Sequence, residues 1–193
     1  MGILSSLKGS FRSPQSVRVN GKRLSEILEA HALFIRGADG GVRADLTGAD
    51  LSRVDLGQAN LAYANLRDAI LESANLRDSK LSSADITGAN LIRTDLRRAD
   101  LTEAVLDSAN LSEAQVGGAE LFRASLRNAV LRGADFGATN LRSAQLEGAD
   151  FRGANMKTTI LRETNLEGVD LSGVDLSTAI MPRGYKSPAA SKN

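Results

Sequence analysis

Side chains that could perform acid–base or metal chemistry recur in this 193-residue sequence at a fixed spacing. Every fifth position from Asp45 to Ile180 forms one series, and Asp or Asn occupies 18 of its 28 sites. Two carboxylates act as general acid and base only where they converge in a cleft. Evenly repeated carboxylates are instead typical of side chains that accept hydrogen bonds from neighbouring backbone amides. We therefore interpret the series as structural.

The remaining candidates for catalysis are few. His31 is the single histidine, and the chain has no Cys. We interpret His31 as a packed or partly exposed helix residue rather than a ligand. Neither a phosphate-binding glycine loop nor a nucleophile elbow is present in the sequence. We predict no catalytic residues, no cofactor, no metal and no small-molecule substrate, so the protein is not expected to be an enzyme.

The carboxylate series is part of a five-residue repeat that runs from Ala44 to Met181 without insertion or deletion. Its phrase is Ala-(Asp/Asn)-Leu-x-x, as in residues 44–48. All 28 central positions, from Leu46 to Met181, are apolar, and 22 of them are Leu. The position two residues before each centre is small, and it is Ala in 20 of the 28 cases.

A period of five matches neither a strand face, which repeats every two residues, nor a helix face at 3.6 residues. The Leu residues share one side only if the chain turns a corner between units. Ala and Leu, two residues apart, then point inward together and the residue between them points outward. A single unit cannot bury its Leu, so the repeat predicts stacked coils with backbone pairing between them. The period alone leaves the number of units per coil open.

This tract resembles the pentapeptide-repeat proteins, whose phrase is A(D/N)LXX, over residues 44–181. The resemblance implies an all-β solenoid: a right-handed quadrilateral parallel β-helix. It also implies about four units in each of about seven coils, and therefore a length of roughly 33 Å. Some members of the family bind DNA gyrase and topoisomerase IV by imitating duplex DNA.

The segment before the repeat predicts a leader and a cap. Residues 1–16 are rich in Ser and Gly, and we expect a flexible leader. Residues 17–43 begin with a short strand and an Asn-Gly turn, followed by a helix from Leu24 to Arg36. One face of this helix is expected to cover the N-terminal end of the solenoid. The predicted cap residues are Leu24, Ile27, Leu28, Phe34 and Ile35.

No second cap is evident after Met181, where residues 182–193 form a polar tail that we expect to be flexible. An uncovered end exposes apolar side chains and unpaired strand edges, which favours pairing with a second copy. We expect a homodimer through the last coil. The alternative is that residues 182–193 fold over this end. The candidate dimer residues are Leu166, Leu171, Leu176, Ile180 and Met181.

Partner contacts are expected where apolar or basic residues interrupt the polar exterior. With four units per coil, these positions fall on two sides of the rod. The first side carries Ile70, Ile92 and Val130. The second carries Phe122, Ile160, Arg142 and Arg162. Scattered exposed apolar residues are also common on surfaces that have no partner.

Charge separates the candidate functions. Residues 44–181 contain 14 Lys and Arg against 20 Asp and Glu, a net charge of −6. Duplex DNA of the predicted length carries roughly twenty charges. We therefore favour a non-enzymatic interaction scaffold with an unidentified protein partner. A DNA-mimicking binder of gyrase or topoisomerase IV is the alternative. Nucleic-acid and membrane partners are disfavoured, and we expect a bacterial, cytoplasmic protein because no secretory signal or span is evident.

Overall fold

The computed structural model describes residues 11–185. A short 3-10 turn, Pro14–Ser16, precedes strand β1 (Arg18–Val19), strand β2 (Lys22–Arg23) and helix α1 (Leu24–Ile35). No helix within the described residues is both long and apolar enough to cross a bilayer. From Asp45 onward, the ordered pairing consists of isolated parallel bridges.

The strand and helix before the repeat form one small unit. β1 and β2 pair antiparallel, with Val19 opposite Lys22. Asn20 and Gly21 both have positive φ, 50° and 83°, as a type I′ turn requires. α1 begins at Leu24 as expected, where a Glu26 carboxylate oxygen accepts the Arg23 backbone N–H at 3.0 Å.

The helix ends at Ile35, one residue earlier than the sequence suggested. Gly37 adopts a φ of 63°, and its N–H donates to the Phe34 carbonyl at 3.0 Å. This left-handed residue stops the helix and turns the chain toward the repeat. Gly41 then lies so close to α1 that a Cβ built on it would be 2.4 Å from the Phe34 backbone nitrogen.

The predicted cap face makes only part of the expected contact. Leu24 is fully buried, and Ile27 and Leu28 pack against the hydrophobic core. Phe34, in contrast, is 38% exposed, and Ile35 is half-buried outside the core cluster. The contacting face is therefore narrower than predicted, because the loop after α1 passes beside Phe34 instead of burying it.

His31 joins the cap to the first pentapeptide. Its side chain is fully buried, and its Nδ1 accepts the Ala44 backbone N–H at 3.0 Å. The ring stacks on Phe34 with the two centroids 5.7 Å apart. Burial lowers the pKa of His31, and the positive charge of Arg43 lowers it further. Because Nδ1 accepts a hydrogen bond, the imidazole is neutral and carries its proton on Nε2.

The pairing pattern answers the question that the five-residue period left open. Each outer residue from Asp45 to Asn140 forms a parallel bridge with the outer residue twenty positions later, as Asp45 does with Asn65, and Asp150 and Ile160 do the same. The Leu46 N–H donates to the Asn65 carbonyl at 2.7 Å, and the Asn65 N–H donates to the Ala44 carbonyl at 2.9 Å. Four pentapeptides therefore separate paired residues, and each strand is reduced to a single bridge residue.

The central apolar residues point inward, as the repeat predicted. Every centre from Leu46 to Leu161 is buried. Phe136 and Phe151 replace Leu at two centres and meet edge to face, with their centroids 5.3 Å apart. Four threonines at the small inner site donate their hydroxyl protons to backbone carbonyls 23 residues earlier: Thr94, Thr139, Thr159 and Thr164. These bonds satisfy the threonine hydroxyls, the polar side-chain groups at those four inner sites.

The second corner position of most units is left-handed, whatever residue occupies it. Gly48 has a φ of 62°, as expected for glycine, but Arg53 and Tyr63 adopt 56° and 63°. An L-residue in this conformation costs about 1 kcal/mol. The N–H of each of these corners donates to a carbonyl 19 residues later, as Arg53 does to Glu72 at 2.9 Å. Repeated pairing between units offsets the local strain.

The described part of the predicted flexible leader is ordered. Arg12 forms a parallel bridge with Val54, and its N–H donates to the Arg53 carbonyl. The boundary at residue 16 is therefore wrong, because Arg12 already pairs with the edge of the repeat. Residues 1–10 and 186–193 lie outside the described part of the chain.

Candidate interaction surface

The parallel bridges form four ladders along the repeat, which we number by their first residues. Ladder 1 starts at Asp45, ladder 2 at Asp50, ladder 3 at Asp55 and ladder 4 at Asn60. The side of a ladder comprises its outer residues and the two corner residues that follow each centre. These four sides present the outward-facing residues of the repeat.

The carboxylates of the ladders hold the backbone and each other. The Asp135 Oδ1 atom accepts the Gly137 N–H at 3.0 Å and an Asn155 side-chain N–H at 2.7 Å. The Asp45 Oδ1 atom likewise accepts the Thr47 N–H at 3.2 Å and an Asn65 side-chain N–H at 3.1 Å. Acids and amides alternate where these bonds form. This arrangement is the structural role that the sequence predicted for the series.

Two acids are direct neighbours in ladder 2, and arginines separate their charges. Asp150 bridges to Asp170. Both Arg152 and Arg132 donate to the Asp150 carboxylate, which lowers its pKa far below the usual range. Arg152 also lies 3.4 Å from Asp170. The group is an ion-pair network on the surface and does not form a converging acid–base pair.

The first predicted contact group lies on one side but is not continuous. Ile70 and Val130 both belong to ladder 2, and Ile92 occupies a corner of the same side. Asn90 and Asn110 lie between Ile70 and Val130 in the ladder. Ile70 is 40% exposed, whereas Ile92 and Val130 are half-buried. The group provides isolated apolar points separated by amides.

The second predicted group lies on the side of ladder 4 and is more closely connected. Ile160 bridges to Ile180, and Phe122 precedes them at a corner of the same side. The Arg142 guanidinium carbon lies 5.9 Å from the centroid of the Phe122 ring. Arg142 also donates two hydrogen bonds to the Glu163 carboxylate, at 3.0 and 2.8 Å.

Sequence reasoning missed Arg123 in this group. Its guanidinium carbon lies 4.9 Å from the Phe122 centroid, closer than that of Arg142. The signal was available, because Arg123 directly follows Phe122 and corner residues share one side. Arg162 occupies the same corner column as Phe122 and Arg142, and it is exposed. Within residues 11–185, the Arg162 guanidinium makes no ion pair or hydrogen bond.

The candidate dimer residues form the incomplete end of the stack. Leu166, Leu171, Leu176 and Met181 are half-buried, in contrast to every earlier centre, and Ile180 is 41% exposed. The bridges of ladders 1 and 3 end at Gln145 and Asn155, whereas those of ladders 2 and 4 continue to Asp170 and Ile180. The last units therefore expose apolar surface.

A cavity of about 220 Å³ lies beside the cap. It mixes apolar walls with two acidic and two basic side chains. Its lining residues are Val19, Asn20, Lys22, Glu26, Ile27, Ala30, Val42, Arg43 and Asp45. The described residues contain no group of three or more His, Cys, Asp or Glu side chains that could hold a metal ion.

Comparison with known proteins identifies the family. The family model for pentapeptide repeats matches eight copies, over residues 42–78, 79–115, 119–157 and 139–177. The chain belongs to the pentapeptide-repeat family. No curated protein sequence matches it.

Three solved structures are similar to this chain. HetL from the cyanobacterium Nostoc, involved in heterocyst differentiation regulation, is 32% identical, with 74% of this chain and 86% of HetL covered and a TM-score of 0.26. Rfr23 from the cyanobacterium Cyanothece is 35% identical over 53% of this chain, with a TM-score of 0.29. This chain spans 63% of Rfr23, less than two thirds of its length. QnrB1, a plasmid-mediated fluoroquinolone resistance protein, is 22% identical, with 69% of this chain and 77% of QnrB1 covered and a TM-score of 0.45.

Proposed function

We propose that this pentapeptide-repeat protein is a non-enzymatic scaffold that binds another protein through the sides of a rigid β-helix. In this proposal the helix is right-handed and four-sided, with four pentapeptides in each of about seven coils. The observation that carries the proposal is the strict division of side chains. The centres from Leu46 to Leu161 are buried, so the outer ladders remain to contact a partner.

The test is quantitative affinity capture from the native host. The double variant Ile70→Asp with Ile92→Asp places two charges on the side of ladder 2. The double variant Ser82→Asp with Gln145→Asp adds the same charge on other sides and serves as the matched control. We expect one host protein to be captured by the wild type and by the control but not by the ladder 2 variant.

Equal capture by all three proteins would move the contact away from the side of ladder 2. The absence of any host protein captured stoichiometrically by the wild type would overturn the scaffold proposal. Circular dichroism of each variant shows that the fold is unchanged. Outward substitutions of this kind alter stability by about 0.5 kcal/mol or less.

We also propose that the last coil pairs with a second copy of the chain. Leu176 and Met181 are half-buried at an end that no described residue covers with a helix. Light scattering should give twice the monomer mass for the wild type. Leu176→Asp should give a monomer with unchanged circular dichroism. A wild-type monomer at high micromolar concentration would instead support closure of this end by residues 182–193.

A second function is favoured by one observation, the uneven distribution of acidic side chains. The side of ladder 1 carries six acidic residues against two arginines, a net −4 of the −6 on residues 44–181. Such a face could meet a DNA-binding protein such as gyrase. Within residues 44–181, the side of ladder 4 carries four charges of each sign. Potent inhibition of gyrase supercoiling would place this function ahead of the scaffold.

A further inference from the structure

The C-terminal half of the ladder 4 side differs in charge from the rest of the repeat. Between residues 120 and 183, this side carries four arginines and two glutamates, a net +2. Over the same span, the sides of ladders 1 and 3 each carry −1 and the side of ladder 2 carries zero. A rod with a net charge of −6 therefore has one short basic strip.

This strip also carries Phe122 and the bridged pair Ile160 and Ile180. We define the Phe122 surface as Phe122, Arg123, Arg142, Ile160 and Arg162. Two guanidinium groups flank the Phe122 ring, at 4.9 and 5.9 Å from its centroid. A cation above an aromatic face gains about 0.5–1 kcal/mol at exposed sites. The arrangement holds flat apolar and cationic groups side by side.

Two arginines of the Phe122 surface already have acidic partners on the same side: Arg123 lies 3.7 Å from Glu103, and Arg142 bonds to Glu163. Glu163 accepts two hydrogen bonds from Arg142 and one from the Ser143 hydroxyl at 2.9 Å, which fixes the orientation of that guanidinium. Arg162 lies one repeat of twenty residues further along the same column, and within residues 11–185 its guanidinium has no partner. A binding partner could therefore pair with Arg162 without displacing an internal bond.

We propose that the Phe122 surface binds an acidic amphipathic helix of another protein. Residues twenty apart in a ladder lie about 4.8 Å from each other, the spacing of paired strands. Side chains at i and i+4 of a helix lie about 5–6 Å apart, so two carboxylates on one helix face match Arg162 and the Nη1 group of Arg142, the guanidinium nitrogen that does not bond to Glu163. Leu residues beside them would cover Phe122 and Ile160.

A protein helix fits this strip better than a broad anionic surface does. The acidic residues Glu120 and Glu163 belong to the same side, and both adjacent sides, those of ladders 1 and 3, carry a net charge of −1 over this span. Duplex nucleic acid or an anionic membrane would bring its charges against those acids. A narrow helix can contact the arginines and avoid them. This inference rests on the proposed scaffold function and names the chemistry of one partner site.

The test is fluorescence anisotropy with a labelled 18-residue peptide built from Leu, Glu and Ala, with Leu and Glu at helical spacing. Matched probes replace every Glu with Lys, or every Leu with Ser, and a labelled 20-base-pair duplex is the nucleic-acid probe. We expect saturable binding of the Leu/Glu peptide and no saturable binding of the other three probes. The affinity should fall in high salt, because exposed charges are screened.

Two charge-reversal variants locate the site. Arg162→Glu should weaken binding about tenfold or more, since a charge pair becomes a repulsive contact. Lys157→Glu makes the same change in charge on the neighbouring ladder 3 side and should leave the affinity within about twofold. Phe122→Ser should weaken the binding of the Leu/Glu peptide, because the apolar contact is lost. The binding that remains should still depend on salt.

Equal binding by both charge-reversal variants, or preferential binding of the Lys peptide or the duplex, would overturn the inference. No binding of the Leu/Glu peptide would overturn it as well. The scaffold proposal would survive any of these results if host capture still depended on Ile70 and Ile92. If the wild type captured no host protein at all, the scaffold proposal would fail independently.

Discussion

The two ends of the repeat contain the same kinds of residues in different surroundings. Leu51 and Leu171 occupy equivalent positions, 120 residues apart, so both stand in the same column. Leu51 is fully buried, and Leu171 is half-buried. At the N-terminal end α1 and Arg12 cover the first units, whereas at the C-terminal end the residues beyond Met181 form no described helix.

The difference shows that a pentapeptide does not bury its own Leu. Burial depends on a neighbour above and below, as expected where each repeat contacts only adjacent ones. Within residues 11–185, a helical cap lies at the N-terminal end only. An open apolar end and a closed one give the rod a direction, and each end can be tested by substitution.

The largest expected effect comes from cutting back the equivalent leucines. Leu51→Ala should lower the free energy of unfolding by about 2–5 kcal/mol, as for other fully buried leucines. Leu171→Ala should lower it by less than half as much, because that side chain is already partly exposed. Urea denaturation of both variants measures the difference. Equal losses would show that the C-terminal end is covered in solution, by a second copy or by the tail.

The next largest expected effect is a loss of stability that is confined to the N-terminal cap. A Cβ at Gly41 would lie 2.4 Å from the Phe34 nitrogen and 2.6 Å from its Cα, and a backbone contact cannot yield. Gly41→Ala should therefore displace α1 and destabilise the N-terminal end by about 1–3 kcal/mol. In Gly57→Ala, the matched control, the nearest atom is the Asn75 side-chain nitrogen at 2.8 Å, which can move.

Hydrogen exchange of the amides near Leu46 measures loss of the cap directly. Faster exchange at these amides in Gly41→Ala, with little change near Leu161, would support the cap assignment. Uniformly faster exchange along the repeat would contradict it, since the damage would then not be local.

The smallest effect is the response of the cap to acid. The pKa of His31 is lowered in the folded chain, so the unfolded chain binds more protons once the pH falls below about 6.5. The stability from neutral His31 is fully present above that pH and is lost as the pH falls through the lower folded pKa. Protonated Nδ1 can no longer accept the Ala44 N–H.

The measurement is urea denaturation between pH 7.5 and 4.5 for the wild type and His31→Gln. The wild type should lose stability with acid faster than the variant does. Parallel pH profiles would show that His31 does not titrate differently in the folded and unfolded chains. The C-terminal end has no histidine, so exchange near Leu161 should not follow this titration.

The interior of the repeat could be predicted from the sequence because every unit places an apolar centre and a small residue at the same two positions. Leu46 and Ala44 lie two residues apart and turn inward together, and both are buried. The number of pentapeptides between paired residues could not be read this way. It depends on backbone hydrogen bonds such as Leu46 to Asn65, which carry no residue signature.

The ends and corners were harder to predict for local reasons. The hydrogen bond from Ala44 to His31 depends on how the loop containing Gly41 folds back over α1. Glycine marks a left-handed corner at Gly48, but Arg53 occupies the same conformation without any compositional signal. In the candidate surface, shared columns brought Phe122 and Arg142 together as expected, whereas the role of Arg123 required the ring geometry.

Pairing at an interval of twenty sets a rule for how such a chain can change in length. Loss of five residues would keep every Leu inward but move each downstream outer residue to the neighbouring ladder. Ile160 would then leave the column of Glu120 and Asn140, and the ladder 4 side would be divided between two neighbouring sides. Only indels in multiples of twenty residues keep every column intact, so the proposed binding side would be preserved only by growth and loss in units of twenty residues.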